Sequence, residues 1–320
     1  MRRNQMTSRL AAAACAMGLL LSGSARAADR TAKPDQVKKM EAALPDKAPA
    51  QPAKPRKVLV YGNAEGFVHS SIELGEETIV KLGEKTGAWT ATVSNDPASF
   101  DDLSSYDGVV LVSTTGHFLL PRKGNEKAKD PSYKQKEHQR MQNLFDFVKK
   151  DSKGLAGIHA ATDAYYDNRQ YGELIGGYFN QHPWNEKVGI KLDHPNSPLT
   201  KMFKKNGIDI ADEIYQFSPK GKNKEGKEEQ TYSRKHDHVL LSLDYTTDGR
   251  TAKKGKSPDN DYGVAWTRTA GTGRVFYCSL GHREEIYWNP VILKFYLAGI
   301  QYALGDLPDP TAGGRTAAAK

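Results

Sequence analysis

The first half of the chain alternates short, unbroken apolar runs with amphipathic stretches. "KVLVYG", from Lys57, is an apolar run with a β-branched bias and a glycine stop, which predicts a buried strand. In "SSIELGEETIVKLGEKTG", Ile72, Ile79 and Leu82 fall on one helical face, and Gly87 closes the segment. "WTATVS" and "YDGVVLVST" predict two further strands. "SYKQKEHQRMQNLFDFVKK" predicts a helix with Met141, Leu144, Phe145 and Val148 on its inner side, and "GLAGIHA" predicts a fourth strand. Strands separated by helices imply right-handed crossovers and an α/β fold: a mostly parallel sheet with helices on both faces. The second half is richer in strands, with "KVGIKL", "DEIYQF", "HVLLSL", "YGVAWTRT" and "GRVFYCSLG". It closes on a helix, "PVILKFYLAGIQYAL", with Pro290 at its start and Gly305 beyond its end.

The pattern fails at the ends. Arg2, Arg3 and Arg9 precede an apolar segment, Leu10 to Leu21, and Ala25-Arg26-Ala27 forms a small-x-small cleavage site. Residues 1–27 therefore read as a secretory signal peptide, which places the mature chain in the periplasm or outside the cell. The apolar segment is too short to serve as a membrane span. Residues 28–55 are rich in Ala, Lys and Pro and offer little to bury, so they predict a flexible tether, with 35–44 forming at most a transient helix. The folded unit is expected over 56–307, followed by a disordered tail, 308–320. Two Lys/Gly-rich insertions, 219–229 and 249–261, read as solvated loops.

Charge and cysteine content narrow the function classes. The formal charge of +8 falls to +4 once residues 1–27, with four arginines and no acid, are removed. The remaining lysines are dispersed among acids, which argues against nucleic-acid binding. Cys15 leaves with the signal, so Cys278 stands alone and no internal disulfide can form. Cys278 lies inside an apolar strand, where a thiol is an inert core residue rather than a nucleophile.

Open α/β sheets bind ligands beyond the carboxyl ends of their strands. Four histidines fall there: His69 after the first strand, His117 after the third, His159 at the end of the fourth and His282 after the last. His159 stands where a strand-to-helix elbow would lift a reactive side chain over the sheet edge. Flanked by Ile158, Ala160 and Ala161, its imidazole is expected to be buried and neutral, as a general base requires. Asp163 could orient that ring or cap a helix. In "DEIYQF", Glu213, Tyr215 and Phe217 alternate onto one strand face, a carboxylate and aromatics suited to a sugar or polyol. "NQHPWN" adds His182 and Trp184 as rim or ligand residues. No motif requires a cofactor and no local metal signature exists, but a divalent metal held by His69, His159 and His282 stays open beside the acid–base and structural readings.

Several of these segments, "GFVHSSIE", "YDGVVLVSTTG", "GLAGIHAATD", "YGELIGGYF", "DEIYQF", "VAWTR" and "GRVFYCSLGH", in this order between about Lys57 and Gly305, resemble the trehalose-utilisation (ThuA-like) family. The resemblance implies a flavodoxin-like, class I glutamine-amidotransferase-like fold, with His159 where amidotransferases carry a nucleophilic cysteine, and therefore no amidotransferase activity. It implies a role in disaccharide or polyol catabolism, with a small-molecule carbohydrate, such as a 3-keto sugar, as ligand. His69, His159, Asp163, Glu213, Tyr215 and His282 carry over as pocket residues. On a 3-keto sugar, His159 would take the proton beside the carbonyl while Glu213 or another histidine protonates the oxygen. Lyase, hydrolase and isomerase outcomes all remain open, as do a non-catalytic carbohydrate-binding or partner-scaffold role and a homo-oligomeric state.

Overall fold

The computed structural model describes residues 31–217, 221–222, 228–229, 232–245 and 260–310. One sheet organises them. β1 (Lys57–Tyr61), β2 (Thr90–Val93), β3 (Gly108–Val112), β4 (Gly154–Ile158) and β11 (Gly273–Cys278) pair in parallel, in the order β2-β1-β3-β4-β11. The sheet continues antiparallel through β10 (Gly263–Ala270), β9 (His238–Leu243), β5 (Phe179–Leu192) and β6 (Ile208–Phe217). A two-residue pair, β7 (Gly221–Lys222) with β8 (Glu228–Glu229), stands apart. The strand-rich second half is thus an extension of the α/β sheet, and the expected fold class is borne out.

Alternation along the central strands explains the layering. Val58, Val60, Val110, Val112, Ala156 and Ile158 face one core, while Leu59, Tyr61, Val109, Leu111 and Leu155 face the other. The first core is covered by α1 (Pro34–Ala43), α2 (Ile72–Thr86) and α5 (Pro290–Ala303), the second by α3 (Pro131–Lys149) and α4 (Arg169–Ile175). Each fully buried aliphatic side chain contributes about 1.5–3 kcal/mol, so a strand with two buried faces is anchored from both. Gly87 ends α2 at φ +68°, as its sequence position predicts.

The expectation of a flexible tether over 28–55 is corrected by its described part. Residues 34–43 are helical, and Met40 is fully buried with Leu44 against the first core. Gln301 of α5 clamps the following segment, accepting from the Ala50 amide (3.1 Å) and donating to the Ala50 carbonyl (2.7 Å). Lys85 donates to the Leu44 carbonyl at 2.9 Å. A few well-spaced apolar groups are enough here because α2 and α5 already present a surface to receive them. The signal segment 1–27, residues 311–320 of the tail and most of both insertions lie outside the described residues. Among the described residues no helix is long and apolar enough to cross a membrane.

The β5–β6 ribbon positions the site. Its pairing shifts register between Phe179, Gln181 and Trp184, and such bulges bend a ribbon. β6 ends the sheet order, several strands from β4, yet the Tyr215 ring lies 4.5 Å from that of His159. The ribbon therefore arcs back over the carboxyl edge of β4 and β11.

Candidate active site

β4 ends at Ile158, and His159 takes up φ +51°, the left-handed region that non-glycine residues rarely occupy. A one-turn 3-10 helix, His159–Thr162, follows. This is the strand-to-helix elbow the sequence predicts. Tyr277 donates to the His159 carbonyl at 2.6 Å, which holds the strained residue in place. Gly281 passes so close that an added Cβ would lie 3.2 Å from the His159 Cβ and 2.9 Å from Tyr287 Oη, and its φ of +133° also requires glycine.

Three other elements converge on the His159 ring. His69, from the loop between β1 and α2, places Nε2 3.2 Å from His159 Nε2. Tyr215 Oη lies 3.1 Å from the same nitrogen, and Glu213 Oε2 3.7 Å. His282, in the loop after β11, brings Nδ1 to 3.3 Å from Glu213 Oε2. On the other carboxylate oxygen, His182 Nδ1 lies 3.1 Å from Oε1. His159 has no exposed surface, His69 and Glu213 are buried, His282 is partly exposed, and the His182 side chain is 49% exposed.

This layering sets the charges. Burial, reinforced by His69, holds His159 well below the ordinary histidine value against a bond to Ser279. Burial and the neighbouring His282 lower His69 to about 4. Both are neutral at pH 7. Burial would raise the Glu213 carboxyl, but His282, His182 and His69 outweigh it and hold it below its ordinary range, so it is ionised. Glu213 in turn raises His282. Titratable groups pushed apart in this way mark functional sites. The Cys278 thiol, fully buried and pushed up by burial, holds no thiolate.

The other expected site residues divide. Asp163 does not orient His159: it caps the 3-10 turn, and its Oδ1 accepts from Tyr166 Oη at 2.6 Å. The ring is fixed instead by the Ser279 carbonyl, 2.7 Å from His159 Nδ1. Burial raises Asp163, Tyr166 opposes this, and the Glu213 charge adds to it, so Asp163 borders the site without joining its centre. Trp184 is not a rim residue. It is fully buried in the first core, packed edge-on against Tyr262 at 5.0 Å, on the same inward face of β5 as Val188 and Ile190. His117 does lie past the end of β3, but it pairs with Glu137 of α3 at 2.7 Å and Asp167 at 3.6 Å, outside the His69–His159–His282 group.

Two contributors escaped the sequence reading. Asp212, fully buried, accepts from the amides of Gly281 (2.7 Å) and Arg283 (2.9 Å) and so grips the loop carrying His282. The signal for it was the acid pair in "DEIYQF", of which the alternation argument used only the second member. Phe67, 64% exposed, stands edge-on to His69 at 4.7 Å, and was visible only as an aromatic two residues before a histidine.

The fold and this histidine-rich carboxyl edge define a flavodoxin-like α/β protein with a polar centre at its strand ends. The family model for ThuA, trehalose utilisation, matches residues 57–303, and the chain belongs to that family. Among solved structures it is similar to a ThuA-like protein from Bacteroides uniformis (18% identity, TM-score 0.56, covering 80% of this chain and 94% of that one). It is likewise similar to a ThuA-like protein from Parabacteroides merdae (16% identity, TM-score 0.54, 80% and 92%). At these identities the likeness shows the fold alone. No curated protein matches the chain.

Proposed function

We propose that this chain is an exported enzyme of carbohydrate catabolism that takes a proton from the carbon beside a sugar carbonyl, as in a 3-keto sugar. The observation that carries the reading is the Glu213 carboxylate, held ionised between an exposed and a buried layer of imidazoles. Outward, it meets His182 Nδ1 at 3.1 Å. If that nitrogen carries the ring's proton, Nε2 is left as a base on a half-exposed ring. Inward, the partly exposed His282 supplies a donor for the oxygen that becomes negative as the proton leaves. His182 therefore replaces His159 as the base in this reading, because His159 has no surface through which to touch a substrate. Exposed Phe67 offers a flat apolar face for a sugar ring. Two neutral imidazoles buried beside a carboxylate favour catalysis over a simple binding role.

The test is hydrogen exchange. Incubated in D₂O with a 3-keto disaccharide, the mature protein should replace the proton beside the carbonyl with deuterium, read by NMR, and His182→Gln should not. A parent protein that catalyses no exchange and no product formation on such sugars would end the proposal. Export rests on residues 1–27, and native protein beginning at Met1 would remove it.

A further inference from the structure

We propose that His69, His159, Glu213 and His282 together hold one divalent transition-metal ion. The proposal rests on the catalytic reading of this edge and names what sits at its centre. The donor atoms of the four residues all lie within 4.8 Å of one another. Two nitrogens bound to one tetrahedral zinc at about 2.0–2.1 Å are held roughly 3.3 Å apart. His69 Nε2 and His159 Nε2 are 3.2 Å apart, and Glu213 Oε2 and His282 Nδ1 are 3.3 Å apart.

Hydrogen bonding supports the same conclusion. His159 Nδ1, 2.7 Å from the Ser279 carbonyl, must carry the proton, so Nε2 presents a lone pair, which His69 Nε2 and Tyr215 Oη both face. A carbonyl on the far nitrogen is the usual outer partner of a metal-bound imidazole. His69 faces that lone pair with its own Nε2, while its buried Nδ1 has no hydrogen-bond partner. Two imidazole nitrogens facing each other at 3.2 Å can both direct lone pairs at one cation, which leaves the His69 proton on Nδ1. The four donors come from separate segments, each fixed beforehand. Tyr277 holds the His159 carbonyl, and Asp212 and Ser71 hold the Gly281 backbone beside His282. Three imidazoles and one carboxylate suit zinc, cobalt, nickel or iron rather than magnesium or calcium. The partly exposed His282 marks the side left open for a water or a sugar oxygen, which the ion would polarise.

The test uses tag-free mature protein, stripped with a chelator and titrated with Zn²⁺ and Co²⁺ by calorimetry and visible absorption. One ion per chain is expected, with Co²⁺ bands of low coordination number and a melting temperature that rises with added ion. His282→Gln and His69→Gln should each weaken binding by more than the roughly 10- to 100-fold that loss of an outer partner costs. His117→Gln, outside the group, should leave it unchanged. Circular dichroism of the stripped variants checks folding, and partly exposed His282 serves if His69→Gln does not fold. No stoichiometric binding at millimolar ion, or binding indifferent to both substitutions, overturns the site. Sugar proton exchange by a protein that binds no stoichiometric ion would overturn the ion while leaving the enzyme. A bound ion with no exchange on any keto sugar would do the reverse.

Discussion

Asp212 Oδ2 accepts the Gly281 amide at 2.7 Å, and through this bond the edge strand β6 sets where His282 stands. Its other oxygen takes the Arg283 amide, so the carboxylate brackets His282 from both sides. Asp212→Asn keeps one acceptor and turns an N–H₂ toward the second amide. A buried donor left unpaired costs about 1–3 kcal/mol. Denaturant unfolding should show a loss of that size, and turnover should fall with it as His282 loses its position. An Asp212→Asn protein of parental stability and activity would show that the loop is held by other contacts.

The amino-terminal segment gives a second expectation. Met40 is fully buried against α2 and α5, so Met40→Ala removes core volume. Such truncations cost about 2–5 kcal/mol. Deleting residues 31–50 should lower the melting temperature by many degrees, the opposite of what a loose tether would do. A melting temperature unchanged by both alterations would mean that the segment does not pack in solution.

The contrast between these two regions shows what the sequence carries. The central strands were legible because both their faces are apolar, and unbroken runs such as "GVVLV" admit few alternatives. Three of the four strand-end histidines were legible as partners because topology alone gathers strand ends. His117 was diverted by Glu137, which lies on a helix whose distance from it no local pattern reveals. Trp184 was expected at the rim with His182 because the two are neighbours in the sequence, whereas the register of the ribbon shifts between Gln181 and Trp184 and only Trp184 enters the core. The packing of α1 was hidden because Val37, Met40 and Leu44 form a stripe too sparse to stand out from a Lys/Ala/Pro background. Asp212 was hidden because its partners are backbone amides, which have no sequence signature.

Glu76 supplies a pH dependence away from the histidine group. Burial pushes its carboxyl up to about 8, against Asn95, and Oε1 has no hydrogen-bond partner. The unfolded chain releases this proton near the ordinary value of 4.5, while the folded chain keeps it until about 8. Between those values the unfolded state binds fewer protons, so this group's contribution to stability falls as pH rises through the window. The slope is at most about 1.4 kcal/mol per pH unit. Glu76→Gln removes the group, so its advantage over the parent should grow from pH 5 to pH 8 and then level off. Parallel stability curves for the two proteins would show that Glu76 ionises normally in the fold.

The last expectation separates the exposed from the buried imidazole. His182 is half-exposed, so His182→Gln should change stability by no more than about 0.5 kcal/mol. It should cut turnover by about 10²- to 10⁴-fold, the usual contribution of a general base, because an amide cannot accept the proton. His159 requires a different substitution. Its φ of +51° is tolerated best by asparagine among polar residues, so His159→Asn keeps the elbow while shortening the side chain away from His69 and Tyr215. That variant should lose stability by about 1–3 kcal/mol, since the buried partners of the ring are left unpaired. It should also lose bound metal, whereas His182→Gln should keep it. Turnover, unfolding free energy and metal content measured on the same two variants test the division of labour. Full activity in His182→Gln, with His159→Asn inactive but still holding its ion, would return the role of base to His159.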